Sequence, residues 1–397
     1  MLNKAPFKTA YKVLNKLHQH GFDAYIVGGA VRDYILNRPV HDIDITTSAR
    51  PDQVQALFSK TIPVGIEHGT VIVREEGANF EVTTFRSESG YADYRHPEQV
   101  YFETSITEDL KRRDFTMNAI ALSIDGGIID PYNGQHDLKE NRLMTVGDPE
   151  VRFKEDPLRM LRGLRFMSQL GLDMPLALEN TCRELAPLLK NISVERIYQE
   201  FTKLLKGKNL QKAFHILLNN DIHQYLPCLK DKQSECRQFS ALSLEKLLSD
   251  EERWCALMIQ LDINDIAGFC RAWKMSKKQK NWLLKHTAIY RQQKQHEWTR
   301  ESLYRSGLSS ALSVERLKKA FRDQTGQTEA DIINLWDKMP IHDRKHLHIN
   351  GKDLSRWLQR KPGPWIEQLL SKIEGEVLCG RLQNDYEEIK RWVMSFV

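Results

Sequence analysis

With 397 residues, 41% of them hydrophobic, the chain can bury a large core and has room for roughly two to four domains. Lys and Arg exceed Asp and Glu by 58 to 53, a mild positive balance that permits an anionic partner without requiring one. No apolar run approaches membrane-spanning length and the N-terminus lacks a charged-then-apolar signal pattern. The cysteines (Cys182, Cys228, Cys236, Cys255, Cys270, Cys379) form no C-x-x-C pair, so we expect a soluble cytoplasmic protein with reduced core thiols and no structural zinc.

Phe7 to His20 carries a helical pattern. Phe22 to Val27 is a short β-branched and aromatic run, broken by Gly28-Gly29, and Ala30 to Leu36 predicts a helix opening directly off that turn. Glycines let the backbone approach an anion closely, and Arg32 one turn in adds charge, so the turn can cradle phosphate. His41 to Thr46 predicts the next strand, whose alternation puts Asp42 and Asp44 on one face and Ile43 and Ile45 on the other. Two hard oxygen ligands on a rigid strand beside a phosphate site are what magnesium-dependent nucleotidyl transfer requires.

Asp52 to Phe58 is helical, and GTVIV and NFEVTTF are strands. NFEVTTF alternates with Phe80, Val82 and Thr84 on one face and Glu81, Thr83 and Phe85 on the other. Glu81 is thus either a third carboxylate for the aspartate pair or an exposed glutamate on a half-buried strand. From Arg86 to Thr104 the chain is polar, aromatic and without a period, which predicts a mobile loop. Leu110 to Leu122 has helical spacing of apolar residues and opens on Lys111, Arg112, Arg113 and Asp114. ALSI and GIID then pair as strands, closing one mixed α/β domain near Tyr132.

Beyond about Val151 nearly everything is helical. In EDPLRMLRGLRF, Pro157 suits a first helical position and Asp156 stands at the entry. Arg159, Arg162 and Arg165 follow at steps of three, drifting by about 60° per step, and form one broad basic face, while Leu158, Leu161, Leu164 and Met167 cover another. On spacing alone this is equally an amphipathic helix with a solvated arginine stripe. Arg271 to Arg300 is basic with Trp273, Trp282 and Tyr290 interleaved, a pattern shared by RNA-binding faces and ordinary helix cores. Gly363-Pro364 opens a helix that could receive a backbone phosphate. His342-Asp343 lacks the companions of a metal phosphohydrolase motif and is taken as surface.

GG followed by D-x-D resembles the signature of polymerase-β-like nucleotidyltransferases. GGAVRD, HDID, RRDFTMNA and EDPLRMLRGLRF, in this order, resemble the bacterial class II CCA-adding enzymes (CCA tRNA nucleotidyltransferases). That superfamily also holds bacterial poly(A) polymerases and CC-adding and A-adding enzymes. The length, the full loop before Thr104 and the block INGKDLSRWLQRKPGPWIEQLL resemble the complete CCA-adding type.

The resemblance implies an α/β plus all-α fold. A polymerase-β-like catalytic head (1–150) is followed by a helical neck with the nucleotide-selecting helix (151–210), a helical body (211–300) and a helical, tRNA-binding tail (301–397). It implies catalytic Asp42 and Asp44 holding Mg²⁺, to which the strand alternation adds Glu81 as a candidate third catalytic carboxylate. Gly29, Arg32, Arg113 and Asp114 would meet the nucleotide, and Asp156 and Arg159 would choose its base, with Arg162 and Arg165 as neighbouring nucleotide or phosphate contacts. The partners implied are tRNA, CTP and ATP, with no membrane, and the chain acts as a monomer or homodimer.

Base choice also follows from chemistry. Cytosine and adenine each present an exocyclic amine beside a ring-nitrogen acceptor, whereas uracil and guanine present a carbonyl beside an N–H. An aspartate accepts and an arginine donates, so a fixed Asp–Arg pair suits C and A only. A pocket that takes a pyrimidine twice and then a purine must change shape, and the loop between Arg86 and Thr104 is the cheapest part to move, with Arg95 pairing a neck carboxylate such as Glu155. CC-adding relatives lack a full loop here. Alternatives kept open are a poly(A) polymerase or partial adder, a catalytically silent RNA-binding protein on the same fold, and a small-molecule or protein nucleotidylating enzyme.

Overall fold

A computed structural model describes residues 6–66, 69–90, 94, 99–323 and 326–396. Helix α1 (Lys8–Gln19) buries Ala10, Val13, Leu14 and Leu17, the spacing that puts one apolar stripe on one side. It packs on a seven-stranded sheet built from β1 (Ala24–Val27), β2 (Asp44–Thr47), β3 (Thr61–Pro63), β4 (Thr70–Glu75) and β5 (Ala78–Thr84), together with the late hairpin Ala121–Leu122 and Ile128–Ile129. Helices α2 (Gly29–Ile35) and α3 (Pro51–Leu57) connect the strands. A separate ribbon pairs β6 (Arg86–Ser89) with β7 (Gln99–Phe102), after which α4 (Ile106–Lys111) leads to the hairpin, strands β8 and β9. The sheet order is β3-β4-β5-β2-β1-β8-β9, antiparallel except where β2 and β5 run parallel. That parallel register sets Asp44 beside Glu81.

Three local expectations are corrected. The strand bearing the aspartates begins at Asp44, and Asp42 lies in its irregular lead-in. Leu110 to Leu122 is not one helix. The helix stops at Lys111, Thr116–Asn118 forms a single tight turn, and Ala121–Leu122 is the strand expected in ALSI, paired with Ile128–Ile129 of GIID. Ala119, Ile120 and Ala121 are all fully buried, and a run enclosed on every side carries no period to separate helix from strand. The stretch from Arg86 to Thr104 is no unstructured loop, since Arg86 to Ser89 pairs in register with Phe102 to Gln99. Its arms are half-exposed on both faces, so the alternation that betrays a strand is missing. Residues 91–93 and 95–98, Arg95 among them, lie outside the described residues.

After Ile129 no strand occurs among the described residues. Helices α5 (Gly134–Lys139), α6 (Pro149–Glu155), α7 (Leu158–Leu170), α8 (Leu176–Leu185) and α9 (Val194–Leu205) follow, and α7 packs against α9 and against Leu210–Asn219. The chain divides into two compact units, Met1–Ala241 with Arg271–Lys274, and Leu242–Cys270 with Met275–Val397. In the second, Ser249 with Glu252, Ser276 with Gln279 and Thr328 with Asp331 form capping boxes that satisfy helix-start N–H groups. All six cysteines are free thiols. Cys182, Cys236, Cys255 and Cys270 are core residues as expected, whereas Cys379 is exposed. No described helix is long and apolar enough to cross a membrane.

Candidate active site

The β1–α2 turn, the lead-in to β2, the end of α4 and helices α7 and α9 enclose a cleft of about 850 Å³. Eight arginines and six carboxylates line it, an excess of positive charge suited to a polyanion. At its floor Gly28 adopts φ +73°, where a side chain is strained, and a Cβ there would sit 3.1 Å from Arg113 Nη1. Gly29 begins α2, with Arg32 Nη2 3.6 Å from where its Cβ would lie.

Asp42 and Asp44 both line this cleft, as the sequence pattern requires, although only Asp44 is in the strand. Burial pushes the Asp44 carboxyl above its ordinary value, the Glu81 charge adds to this, and Asp42 does so too, against the pull of Arg113. Crowded, acceptor-only oxygens of this kind fit a hard divalent cation, which would remove the repulsion. Glu81 stands in register with Asp44 on the exposed side of β5, outside the cleft lining. Among the described residues no group of three His, Cys, Asp or Glu is arranged to hold a metal.

The basic residues are held by partners that sequence spacing did not reveal. Arg32 Nε and Nη2 donate to Asp33 Oδ1 and Oδ2 at 3.0 and 3.1 Å, and its Nη1 to Asn118 Oδ1 at 2.9 Å. Arg113 Nη2 reaches Asp109 at 3.4 Å and Nη1 the Asn118 carbonyl at 3.3 Å. Burial lowers the pKa of this guanidinium, and fully buried Asp109 opposes the shift. Asp109 also accepts from Arg112 and from the Arg86 amide.

Asp114 is buried and accepts from the Phe115 amide at 2.8 Å, Asn118 Nδ2 at 3.0 Å and Arg162 Nε at 2.7 Å. Burial alone would raise its pKa, but Arg162, the Asn118 amide and Arg159 hold it far below the usual carboxylate range. A carboxylate depressed in the fold contributes stability that is fully present above the unfolded value, about 4, and is lost progressively as pH falls from there through the folded value. Asp114→Asn should therefore lower stability at pH 7 by about 3 kcal/mol. The deficit should shrink below about pH 4. Thermal melts across pH check this, and a constant deficit from neutral to acid would remove the charge from the explanation.

At the α6–α7 junction Asp156 is extended (φ −145°, ψ 96°), while Pro157 is already helical (φ −56°, ψ −21°). Asp156 Oδ1 accepts from the Leu158 amide at 3.1 Å and Oδ2 from Arg196 Nη2 at 2.7 Å. Arg159 Nη1 donates to Glu155 Oε2 at 2.8 Å, and Nη2 to the Arg112 carbonyl at 3.4 Å. Asp156 and Arg159 share the cleft, yet each is oriented by a different neighbour rather than by the other. Arg162 is held by Asp114, and Arg165 by Glu200 at 3.2 Å. The solvated-stripe alternative fails, because Arg159 and Arg165 are only 8% and 9% exposed. Arg196 follows a serine at a helix start and Glu200 lies one turn on, a signal that could have been read.

Away from the cleft, Trp273 and Tyr290 are core residues, and Trp282 stacks on His286 at 3.6 Å, so the aromatic part of the Arg271 to Arg300 pattern is packing. Asp343 caps a short turn through the Lys345 amide, and His342 Nε2 lies 2.8 Å from the Trp336 carbonyl. The helix Pro364–Leu378 opens at Gly363 and has Glu367 in its first turn, an anion that offsets its appeal to phosphate.

The model "Poly A polymerase head domain" matches residues 24–144, "tRNA nucleotidyltransferase domain 2 putative" residues 245–393, and "Probable RNA and SrmB-binding site of polymerase A" residues 171–233. The CCA-adding enzyme of Geobacillus sp. strain WCH70 is 42% identical over 397 residues, covering 98% of this chain and 97% of the relative. That of Geobacillus stearothermophilus is 42% identical over 396 residues, covering 99% and 98%. The crystal structure of the Bacillus stearothermophilus CCA-adding enzyme in complex with CTP superposes with a TM-score of 0.91 at 40% identity, covering 99% of this chain and 98% of that one. The Thermotoga maritima CCA-adding enzyme complexed with tRNA shares the fold, with a TM-score of 0.63 at 20% identity. Since the likeness to these relatives, 40 to 42% identity, covers 98 to 99% of this chain, this chain belongs to the CCA-adding enzyme family.

Proposed function

We propose that this chain adds C, C and A to the 3′ end of tRNA from CTP and ATP without a nucleic-acid template, releasing pyrophosphate. The observation that carries this is the convergence of Asp42, Asp44, Arg32, Arg113, Asp156 and Arg159 on a single cleft. Asp42 and Asp44 would hold Mg²⁺, and when bound the metal lowers the pKa of the attacking hydroxyl and offsets charge on the α-phosphate. The Gly28-Gly29 turn admits the triphosphate close to the backbone, and Arg32 and Arg113 orient it. Asp114 acts at the nucleotide chiefly by fixing Arg162. Asp156 accepts the exocyclic amine of C or A, Arg159 donates to the ring nitrogen, and Arg162 and Arg165 supply the adjoining cationic wall. The tRNA 3′-hydroxyl then displaces pyrophosphate from the α-phosphate.

In the same reading the head spans 1–150, the neck 151–210, the body 211–300 and the tRNA-binding tail 301–397, as a monomer or homodimer. The free thiols accord with a cytoplasmic setting. Incubation of tRNA lacking its 3′ end with each nucleotide and Mg²⁺, followed by reading of the added sequence, tests the whole. C, C, A is expected. A homopolymer of A would indicate a poly(A) polymerase, and no addition would indicate a silent RNA-binding protein.

The β6–β7 ribbon bears on the switch from C to A. Glu88 Oε1 accepts from Arg86 at 2.8 Å and Arg112 at 3.1 Å, and the Arg112 carbonyl in turn accepts from Arg159. A hydrogen-bonded path thus runs from the ribbon to the base-reading arginine. Deleting Gly90 to Pro97 should leave addition of the two cytidines largely intact and severely impair terminal adenosine addition, with Arg95→Ala a milder version. Product mapping on tRNA ending in CC is the measurement. Adenosine addition at the parent rate would leave the ribbon a passive connection.

A further inference from the structure

Three guanidinium groups share one aromatic ring in the wall of the cleft. The guanidinium carbons of Arg32, Arg162 and Arg165 lie 5.2, 5.9 and 4.1 Å from the centroid of Phe166. All are within reach of the attraction between a cation and a π face. Arg32 comes from α2, the other two from α7. Each also has a carboxylate, Asp33 for Arg32, Asp114 for Arg162 and Glu200 for Arg165, with Glu200 also 3.9 Å from Arg162, and these come from separate stretches of the chain. Phe166 is the group that all three approach. Arg165 Nε is buried without a hydrogen-bond partner, so the ring face beside that guanidinium is its local compensation.

The ring itself is not available to a substrate. Phe166 is 3% exposed, and Phe115 packs against it nearly perpendicular, at 5.7 Å and 83°. Its influence on a ligand must pass through the arginines. Asp33, Asp114 and Glu200 offset the three charges one by one, while the ring gives the long stems a common anchor, so that less rotamer entropy is left to lose at the moment of binding.

We propose that Phe166 is a positioning residue that gathers Arg32, Arg162 and Arg165 into a preorganised receptor for the triphosphate common to CTP and ATP. The proposal rests on the reading of the cleft as the nucleotide site. It separates two tasks within α7. Asp156 and Arg159 at the helix start read the base, while the Phe166 cluster one to two turns on binds the part that both nucleotides share. Weakening the ring should therefore affect CTP and ATP equally and leave base choice alone.

The test is replacement of Phe166 by mono-, di- and trifluorinated phenylalanine, which keep shape and apolarity while progressively draining the negative face of the ring. Calorimetric Kd values for CTP and ATP, with Mg²⁺, should rise together at each step and reach about tenfold for the trifluoro ring. Affinity for tRNA should stay within about twofold. Constant nucleotide Kd values across the series, with only a falling melting temperature, would reduce Phe166 to packing and overturn the proposal. Arg32→Ala and Arg162→Ala separate this from failure of the underlying site. If they weaken CTP binding while the fluorine series is flat, the proposal alone falls; if they leave CTP binding unchanged, the triphosphate does not sit on this wall and both readings fall.

Discussion

Asp44→Ala should lower C and A addition alike by at least about a thousandfold while leaving tRNA affinity nearly intact, and Asp42→Ala should do the same. The carboxylates act where charge develops in the transition state, so their loss falls on turnover rather than on binding of the RNA. The fold makes a second, opposite effect legible. Burial and the Glu81 and Asp42 charges push the Asp44 carboxyl above its ordinary value, so its ionised form is worse off in the fold than in the unfolded chain. Without divalent ions, Asp44→Ala should melt no lower than the parent at pH 7, and any gain should vanish as pH falls below the ordinary carboxylate value, where the parent's group is protonated in both states. A dead enzyme of undiminished stability is the signature of a functional charge. Near-normal turnover in either variant would refute the site.

Asp156→Ala should lower incorporation of C and A and raise the relative use of U or G, by roughly 10- to 100-fold in discrimination, the worth of one lost paired contact to a base edge. The structure adds a control that the base-edge argument lacks. Asp156 also caps the Leu158 amide and holds Arg196, so its removal could act through α7 as a whole. Arg196→Gln frees the Asp156 carboxylate while leaving it present. It should reduce nucleotide use more mildly and keep U and G excluded. Arg159→Ala removes the donor of the pair and leaves Glu155 without that partner, so it should impair C and A alike. Full discrimination in Asp156→Ala, read from the sequence of the added nucleotides, would place base choice elsewhere.

Much of this protein was legible in its sequence because the signals are short-range. The glycine pair ends a strand and starts a helix within a few residues, Asp42 and Asp44 are two apart, and Asp156-Pro157 announces a helix entry by backbone chemistry alone. The loss of strand signal beyond Val151 is likewise a local property, and Ile129 ends the last described strand. These features carried the family resemblance and the two-part fold class.

What only the tertiary structure decided depends on residues far apart in the chain. Asp156 is held by Arg196, 40 positions away, and Arg162 by Asp114, 48 positions away. No periodicity encodes such pairings, which exist only once α7 is packed between the head and α9. The same packing turned a stripe indistinguishable from a solvated one into partnered arginines, Arg159 and Arg165 buried and Arg162 half-buried, and burial within their own units sent Trp273 and Tyr290 to cores rather than to an RNA face. The ribbon β6–β7 was missed and the helix after Leu110 was drawn too long for opposite reasons: one segment is too exposed on both sides to alternate, the other, around Ala119 to Ala121, too enclosed to have a polar side at all. Periodicity reports a boundary between core and water, and it fails where a segment meets only one of them.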